Sequence, residues 1–184
     1  DRKITEEFPL RPNNPYGVSK AGADMYAIER MQTTALKGFL TRAFSHTGPR
    51  RGPNFSISSD AIQIARILRG QQESVIKIGN MKAKRIVADV RDIVDVYYQL
   101  MMAYFEGKVE DGEVFHIAGN DLHEIQHYLD IMLSQANLLG KVQLEIEPKF
   151  LRKVEIPIQI PDDSKVRNLL NWEPSVPIEK TLQD

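Results

Sequence analysis

Short apolar runs that are typical of strands alternate with segments of helical periodicity along the 184-residue chain. The strand-like runs lie at residues 38–44, 75–78, 114–118 and 142–146. The segments between them carry apolar residues at spacings of three and four, which is the period of a helix. Strands that alternate with helices predict an α/β fold, because each helix crosses over from one strand to the next.

The composition is ordinary for a soluble globular protein, with 42% hydrophobic and 27% charged residues. The formal net charge of −1 offers no general electrostatic grip on nucleic acid or on an anionic membrane, so we expect neither partner. The absence of cysteine excludes disulfides and thiolate chemistry. No run of 18 apolar residues occurs, so we expect no transmembrane helix.

Residues 14–20 read Asn-Pro-Tyr-Gly-Val-Ser-Lys, a sequence that suits the start of a helix. Asn14 can cap the helix and Pro15 fits its first turn. Tyr16 and Lys20 would then lie on one face, one turn apart. The Lys20 ammonium would favour the phenolate and lower the pKa of Tyr16 from its ordinary value of about 10. A phenol tuned in this way can give a proton to a carbonyl oxygen or take one from a hydroxyl.

Two helices are predicted with enough detail to be checked against a structure. The first runs from about residue 15 to residue 36, and the second runs from Asp92, as its N-cap, to about Phe105. The apolar residues expected on the buried face of the first helix are Val18, Ala21, Met25, Ile28 and Met31.

Residues 4–21 resemble the active-site segment of the extended short-chain dehydrogenase/reductases that act on nucleotide sugars. The shared order is an acidic pair, Pro-Leu, Pro, and then Pro-Tyr-x-x-Ser-Lys. Residues 41–50 are similar to the strand and loop that these enzymes place behind the nicotinamide and the sugar, and their His-Thr-Gly-Pro-Arg form is characteristic of the GDP-sugar reductases. Further matches in the family's order cover residues 58–65, 79–92, 152–157 and 163–182.

This resemblance implies a reaction and a cofactor. Tyr16 would be the catalytic acid/base, and Lys20 would tune it and hydrogen-bond the nicotinamide ribose. Tyr16, Lys20 and Arg42 would contact the cofactor, NADP or NAD. The reaction implied is the NAD(P)H-dependent reduction of the 4-keto group of a GDP-4-keto-6-deoxy sugar, in the cytoplasm.

The resemblance also implies the residues that bind the GDP-sugar substrate. Arg85 and Arg152 are expected at its diphosphate or ribose, because a guanidinium can bind phosphate oxygens through two parallel hydrogen bonds. Ser45, Asn54 and Glu155 complete the expected substrate site. The helix after the catalytic Tyr often forms a dimer interface in this family, so a homodimer is a further expectation.

The fold implied is the C-terminal portion of a Rossmann-type doubly wound domain plus a smaller α/β substrate domain. Residues 1–53 would belong to the NAD(P)-binding domain, and residues 54–184 mainly to the substrate domain, with about 89–120 returning to the first. The family's Gly-x-x-Gly-x-x-Gly turn does not occur in these 184 residues, and its catalytic Ser or Thr would lie upstream of Asp1. We therefore expect an incomplete part of such an enzyme that is inactive alone.

A nucleotide-sugar 4-epimerase and a 4,6-dehydratase of the same family are the alternatives to the reductase. Dehydratases carry extra acid/base residues near the catalytic Ser or Thr, a region expected outside these residues. The chain departs from the family pattern at Ser45, at residues 86–87 and at Lys153, and these departures leave the exact sugar open.

A zinc hydrolase is an alternative from a different class. His123, Glu124 and His127 form a literal His-Glu-x-x-His. On a helix the two imidazoles would share a face and could bind zinc, with Glu124 as the general base. Neither His46 nor His116 has a recognisable spacing for the third ligand. The pattern arises by chance in roughly one chain of this length in forty or fifty, so we expect no metal site.

Overall fold

A computed structural model describes residues 3–184 and has an α/β fold. Four of the five strand pairings are parallel, as crossover connections through helices require. The predicted fold class is therefore confirmed.

Helices and strands alternate along the described part of the chain. The helices of residues 3–184 are α1 (Pro15–Thr33), α2 (Ser56–Leu68), α3 (Val90–Phe105), α4 (Ile125–Gln135), α5 (Ser164–Leu170), α6 (Ile178–Gln183) and a 3-10 helix at Pro148–Phe150. The strands are β1 (Leu40–Ala43), β2 (His46–Thr47), β3 (Val75–Ile78), β4 (Lys84–Ile86), β5 (Ala88–Asp89), β6 (Val114–Ile117), β7 (Leu122–Glu124), β8 (Gln143–Ile146) and β9 (Ile158–Gln159).

The strands pair over long sequence distances. β1 pairs in parallel with β6, β2 with β5, and β3 with β8. β4 lies between β7, which is antiparallel to it, and β9, which is parallel. Gly119, just after β6, lies so close to the chain before β5 that a Cβ there would come 2.8 Å from the Val87 carbonyl oxygen. A glycine at this position therefore permits the close backbone packing.

Two apolar clusters form the core. In the first, α3 packs against β6 and α5, and its fully buried members include Val96, Leu100 and Phe115. In the second, α2 and α4 pack against β3, with Ile64, Ile76 and Leu129 buried. Each cluster thus joins helices to a pair of parallel strands.

α1 begins where the sequence predicts, because the Asn14 side chain accepts a hydrogen bond from the Gly17 N–H at 2.8 Å. It ends at Thr33, three residues before the predicted end. The Thr34 hydroxyl donates to the Arg30 carbonyl at 2.6 Å, and residue 34 has extended backbone angles.

The predicted burial of one α1 face is wrong, since α1 contains no buried residue. Val18 is 56% exposed and Met25 is 63% exposed. The periodicity identifies the apolar face correctly, but the described residues cover it only partly, since Ala21, Ile28 and Met31 are half-buried.

The predicted N-cap of α3 is also wrong. The cap is Asp89, whose carboxylate accepts a hydrogen bond from the Arg91 N–H at 2.6 Å. Asp92 lies in the first turn, is buried, and binds a different part of the chain. Its carboxylate accepts from the Ser175 N–H at 3.1 Å, the Ser175 hydroxyl at 2.9 Å and the Val176 N–H at 3.1 Å.

Substitution Asp92→Ala should lower the free energy of unfolding by about 2–4 kcal/mol, because it leaves two partly buried N–H groups without an acceptor. Asp95→Ala, at an exposed position on the same helix, should change it by less than about 0.5 kcal/mol. Urea unfolding of both variants measures the difference. Equal stabilities would contradict the proposed contribution of the buried carboxylate.

Candidate active site

An open cleft of about 540 Å³ lies between the loop after β1, the start of α2 and residues 149–155. It brings together all five residues predicted to bind substrate, although they come from distant parts of the sequence. These residues are Ser45, Asn54, Arg85, Arg152 and Glu155.

Arg85 is the best-defined cation of the cleft, and its side chain is only 11% exposed. Its Nη2 donates to Glu155 Oε1 at 3.2 Å and to the Ile156 carbonyl at 2.7 Å, and its Nη1 donates to the Lys84 carbonyl at 2.7 Å. Burial lowers the pKa of Arg85, and the nearby Arg152 lowers it further, whereas Glu155 opposes both effects. Two guanidinium groups therefore interact electrostatically while one carboxylate pairs with Arg85, an arrangement that favours an anionic ligand.

A tight backbone contact positions the segment that carries Arg152. Gly79 directly follows β3 and lies against the 3-10 helix at Pro148–Phe150. A Cβ on Gly79 would come 3.0 Å from the Phe150 carbonyl oxygen, closer than real Cβ atoms usually come. The glycine thus lets Arg152 approach the cleft beside β3 and β4.

Arg51 also lines the cleft. Its guanidinium lies 3.8 Å from the centre of the Phe55 ring and donates to the His46 carbonyl. Burial lowers the pKa of Arg51, and the charge of Tyr16 opposes this effect. Tyr16 is therefore close enough to interact electrostatically with a residue of the cleft wall.

Tyr16 and Lys20 lie on one exposed face of α1, as their spacing predicts. Tyr16 is 65% exposed, and Lys20 Nζ lies 5.7 Å from the centre of its ring. Neither residue lines the cleft wall itself. Their catalytic and cofactor roles stay predictions.

Arg42 makes contacts within the protein. Its Nε and Nη2 each donate to Asp24 of α1 at 2.8 Å, and its Nη1 donates to the Glu6 carbonyl at 3.0 Å. Asp24 raises the pKa of Arg42 above its ordinary value. The ion pair ties α1 to β1, so the geometry gives Arg42 a structural contact, and its cofactor role stays a prediction.

Asp60 lines the cleft and is the residue that sequence reasoning missed. It is 4% exposed, and it makes no hydrogen bond or ion pair within residues 3–184. Burial raises its pKa to about 7. The sequence feature that points to Asp60 is an acidic residue close to Ile57, Ala61 and Ile64, which form the apolar face of α2.

The prediction that the His-Glu-x-x-His pattern lies on one helix is wrong. His123 and Glu124 belong to β7, whereas His127 lies in α4. The two imidazole rings stack with their centres 3.9 Å apart. Residues 3–184 contain no group of three or more His, Cys, Asp or Glu side chains placed to hold a metal ion.

Comparison with known proteins identifies the family. The protein-family model described as GDP-mannose 4,6 dehydratase matches residues 1–184. The chain belongs to this family. The resemblance to nucleotide-sugar enzymes of the extended short-chain dehydrogenase/reductase fold is thus confirmed.

Individual relatives have related but different activities. The chain is 27% identical over 182 residues to the GDP-6-deoxy-D-mannose reductase of Pseudomonas aeruginosa, covering 98% of this chain and 57% of that protein. It is 27% identical over 179 residues to GDP-mannose 4,6 dehydratase 1 of Arabidopsis thaliana, covering 97% and 48%. The chain thus spans about half the length of the curated relatives it matches.

The fold also agrees with a solved structure. RMD from Pseudomonas aeruginosa, complexed with NADPH, matches with a TM-score of 0.84 at 25% identity, covering 97% of this chain and 57% of that one. Solved structures of relatives hold NADPH or NAD. None of the helices described within residues 3–184 combines the length and the apolar character that crossing a bilayer requires.

Asp60→Asn should stabilise the chain, and the gain should grow with pH. The pKa of Asp60 is about 7 in the folded chain, against an ordinary value of 3.8. The free energy of unfolding therefore falls as pH rises from about 4 to 7, and the whole loss is present above pH 7. The gain in the free energy of unfolding should therefore be larger at pH 8 than at pH 5 by about 1–3 kcal/mol. Urea unfolding at both pH values measures it.

The exposed Asp95→Asn serves as the control, and its effect on the free energy of unfolding should not depend on pH in this range. An equal gain for Asp60→Asn at pH 5 and pH 8 would show that the Asp60 carboxyl is not destabilised by burial.

Proposed function

We propose that the protein containing this chain catalyses the NAD(P)H-dependent reduction of the 4-keto group of a GDP-4-keto-6-deoxy sugar. The observation that supports this most strongly is that Arg85 and Arg152 line one cleft together with the other residues predicted to bind substrate. Membership of the GDP-mannose 4,6-dehydratase family and similarity to a GDP-6-deoxy-D-mannose reductase support the same reaction.

The charge of the cleft suits a nucleoside diphosphate. Five cationic side chains line it, against the two acids Asp60 and Glu155. Arg85 and Arg152 would bind the diphosphate oxygens, because charge-assisted bonds from guanidinium groups to phosphate are strong and directional. Binding would also relieve the repulsion between the two guanidinium groups. The cationic residues of the cleft are Arg51, Lys77, Arg85, Lys149 and Arg152.

Tyr16 is assigned the proton transfer. Its phenol would protonate the O4 atom of the sugar as negative charge develops there, and Lys20, one turn along the helix, would stabilise the resulting phenolate. A bound nicotinamide supplies the hydride for this reaction. Tyr16 and Lys20 fit contact with its ribose and ring, since both are exposed on one face of α1.

The two apolar clusters support the proposed division of the chain. Most members of the cluster around α3 and β6 fall in the part assigned to the Rossmann domain, although Val166 and Trp172 come from the part assigned to the substrate domain. The cluster around α2 and β3 falls in the substrate domain. The exposed apolar side chains of α1, such as Val18 and Met25, support a homodimer that contacts this helix, because large exposed apolar patches mark interaction sites.

A GDP-mannose 4,6-dehydratase is the second candidate. The family description and the Arabidopsis relative favour it, and the identity to that relative equals the identity to the reductase. Assays of the full-length gene product with NADPH and a GDP-4-keto-6-deoxy sugar, and separately with GDP-mannose, separate the two candidates. NADPH oxidation in the first assay supports the reductase, whereas turnover of GDP-mannose alone overturns it.

Tyr16→Phe in the full-length gene product should lower kcat by about 10²-fold or more, because it removes the proton donor and leaves the ring in place. Tyr26→Phe on the same helix, also an exposed tyrosine, should leave kcat unchanged. Steady-state kinetics of NADPH oxidation measures both. A kcat for Tyr16→Phe within a few fold of the wild type would contradict the assignment.

Arg85→Ala and Arg152→Ala should each weaken GDP binding by about ten- to a hundred-fold, the loss expected for one charge-assisted contact. Arg69→Ala, an exposed position after α2 and outside the cleft, is the matched control. Calorimetric titration of each variant with GDP gives the affinities, and thermal unfolding shows whether Arg85→Ala remains folded. Unchanged GDP affinity in folded variants would place the diphosphate elsewhere.

A further inference from the structure

Asp60 is a buried acid in the cleft with no partner in the described part of the chain. It is 4% exposed, lies in the second turn of α2, and forms no hydrogen bond or ion pair with residues 3–184. A carboxyl group removed from bulk water without a protein partner opposes folding. The Asp60 oxygens are not among the fully buried side-chain atoms that lack a partner, so water in the cleft can reach them. Because Asp60 lines the cleft, a bound ligand can reach it.

The surroundings of Asp60 indicate the kind of ligand. Ile57, one turn earlier on α2, lines the same cleft, as do the buried Met81 and Ala83. The carboxyl group of Asp60 therefore lines the cleft together with apolar side chains.

A neutral, flat ligand edge with two adjacent donors fits such a carboxylate best. A phosphate would be repelled, and a single hydroxyl would satisfy only one carboxylate oxygen. Guanine presents its N1–H and N2–H side by side, so each oxygen can accept one hydrogen bond. Uracil and thymine instead place carbonyl oxygens on both sides of their single N–H, and adenine has one donor beside an acceptor.

We propose that Asp60 determines base specificity by accepting hydrogen bonds from N1–H and N2–H of guanine in a GDP-sugar. This inference rests on the proposed function, in which Arg85 and Arg152 bind the diphosphate of the same ligand. The two arginines would bind the diphosphate of any nucleoside diphosphate, and Asp60 would select the base.

Calorimetric titration of the chain with GDP, IDP and UDP tests this division, because inosine differs from guanosine only by the missing 2-amino group. The wild type should bind GDP about ten-fold or more tightly than IDP. Asp60→Asn should weaken GDP binding by about ten- to a hundred-fold and bring the affinities for GDP and IDP close together, since its amide NH₂ would face a guanine N–H donor. Its affinity for UDP should not change.

Asp95→Asn, an exposed carboxyl position outside the cleft, is the matched control and should retain the wild-type preference. Thermal unfolding shows whether Asp60→Asn is folded, and if it is not, the wild-type ratio of GDP to IDP affinity decides alone. Equal wild-type affinities for GDP and IDP overturn the inference and leave the proposed function standing. Failure of the wild type to bind any of the three nucleotides overturns both.

Discussion

The pairing of β4 with β9 is the interaction on which the cleft depends. Lys84 and Arg85 lie opposite Ile158 and Gln159, and the Lys84 N–H donates to the Pro157 carbonyl at 2.7 Å. This pairing holds the segment before β9, which carries Arg152 and Glu155, against the strand that carries Arg85. Without it the two guanidinium groups would belong to unconnected parts of the surface.

The buried charged groups of the cleft cost free energy in the free chain. Their identity indicates the kind of ligand that would offset this cost. Arg85 is mostly buried, paired with Glu155 and near a second cation, and Asp60 forms no hydrogen bond or ion pair with residues 3–184. Removing such groups from water costs free energy even when they are paired. A nucleoside diphosphate would supply acceptors to the first group and donors to the second, so one ligand would relieve both costs.

Local features of this chain could be predicted from the sequence, and those set by distant contacts could not. The Asn14 cap and the shared face of Tyr16 and Lys20 depend on residues a few positions apart, and both predictions of geometry are confirmed. The gathering of Arg85, Arg152 and Glu155 in one cleft was implied only by the family resemblance. Periodicity alone does not specify which strands pair.

The incorrect predictions concern features that are set by contacts between residues far apart in the sequence. An acid before a helical segment is expected to cap it, but Asp92 instead binds Ser175, more than eighty residues away. The residues around His123 look helical in isolation, but β4 pairs with them and draws them into a strand. Periodicity also shows that one face of α1 is apolar without showing what covers it. The burial of Asp60 in the cleft could not be predicted from the sequence, because it depends on the packing of α2 against β3.

The ion pair between Arg42 and Asp24 attaches α1 to β1 at a point distant from Tyr16, so a tilt of the helix about this point moves the phenol. Asp24 lies eight residues from Tyr16, which is about 12 Å along the helix axis. A rotation of α1 by about 5° around this point would therefore displace the phenol by about 1 Å, a distance that can cost about 10² in rate when a reacting group is misplaced. The position of the Tyr16 phenol thus depends on the tilt of the whole helix.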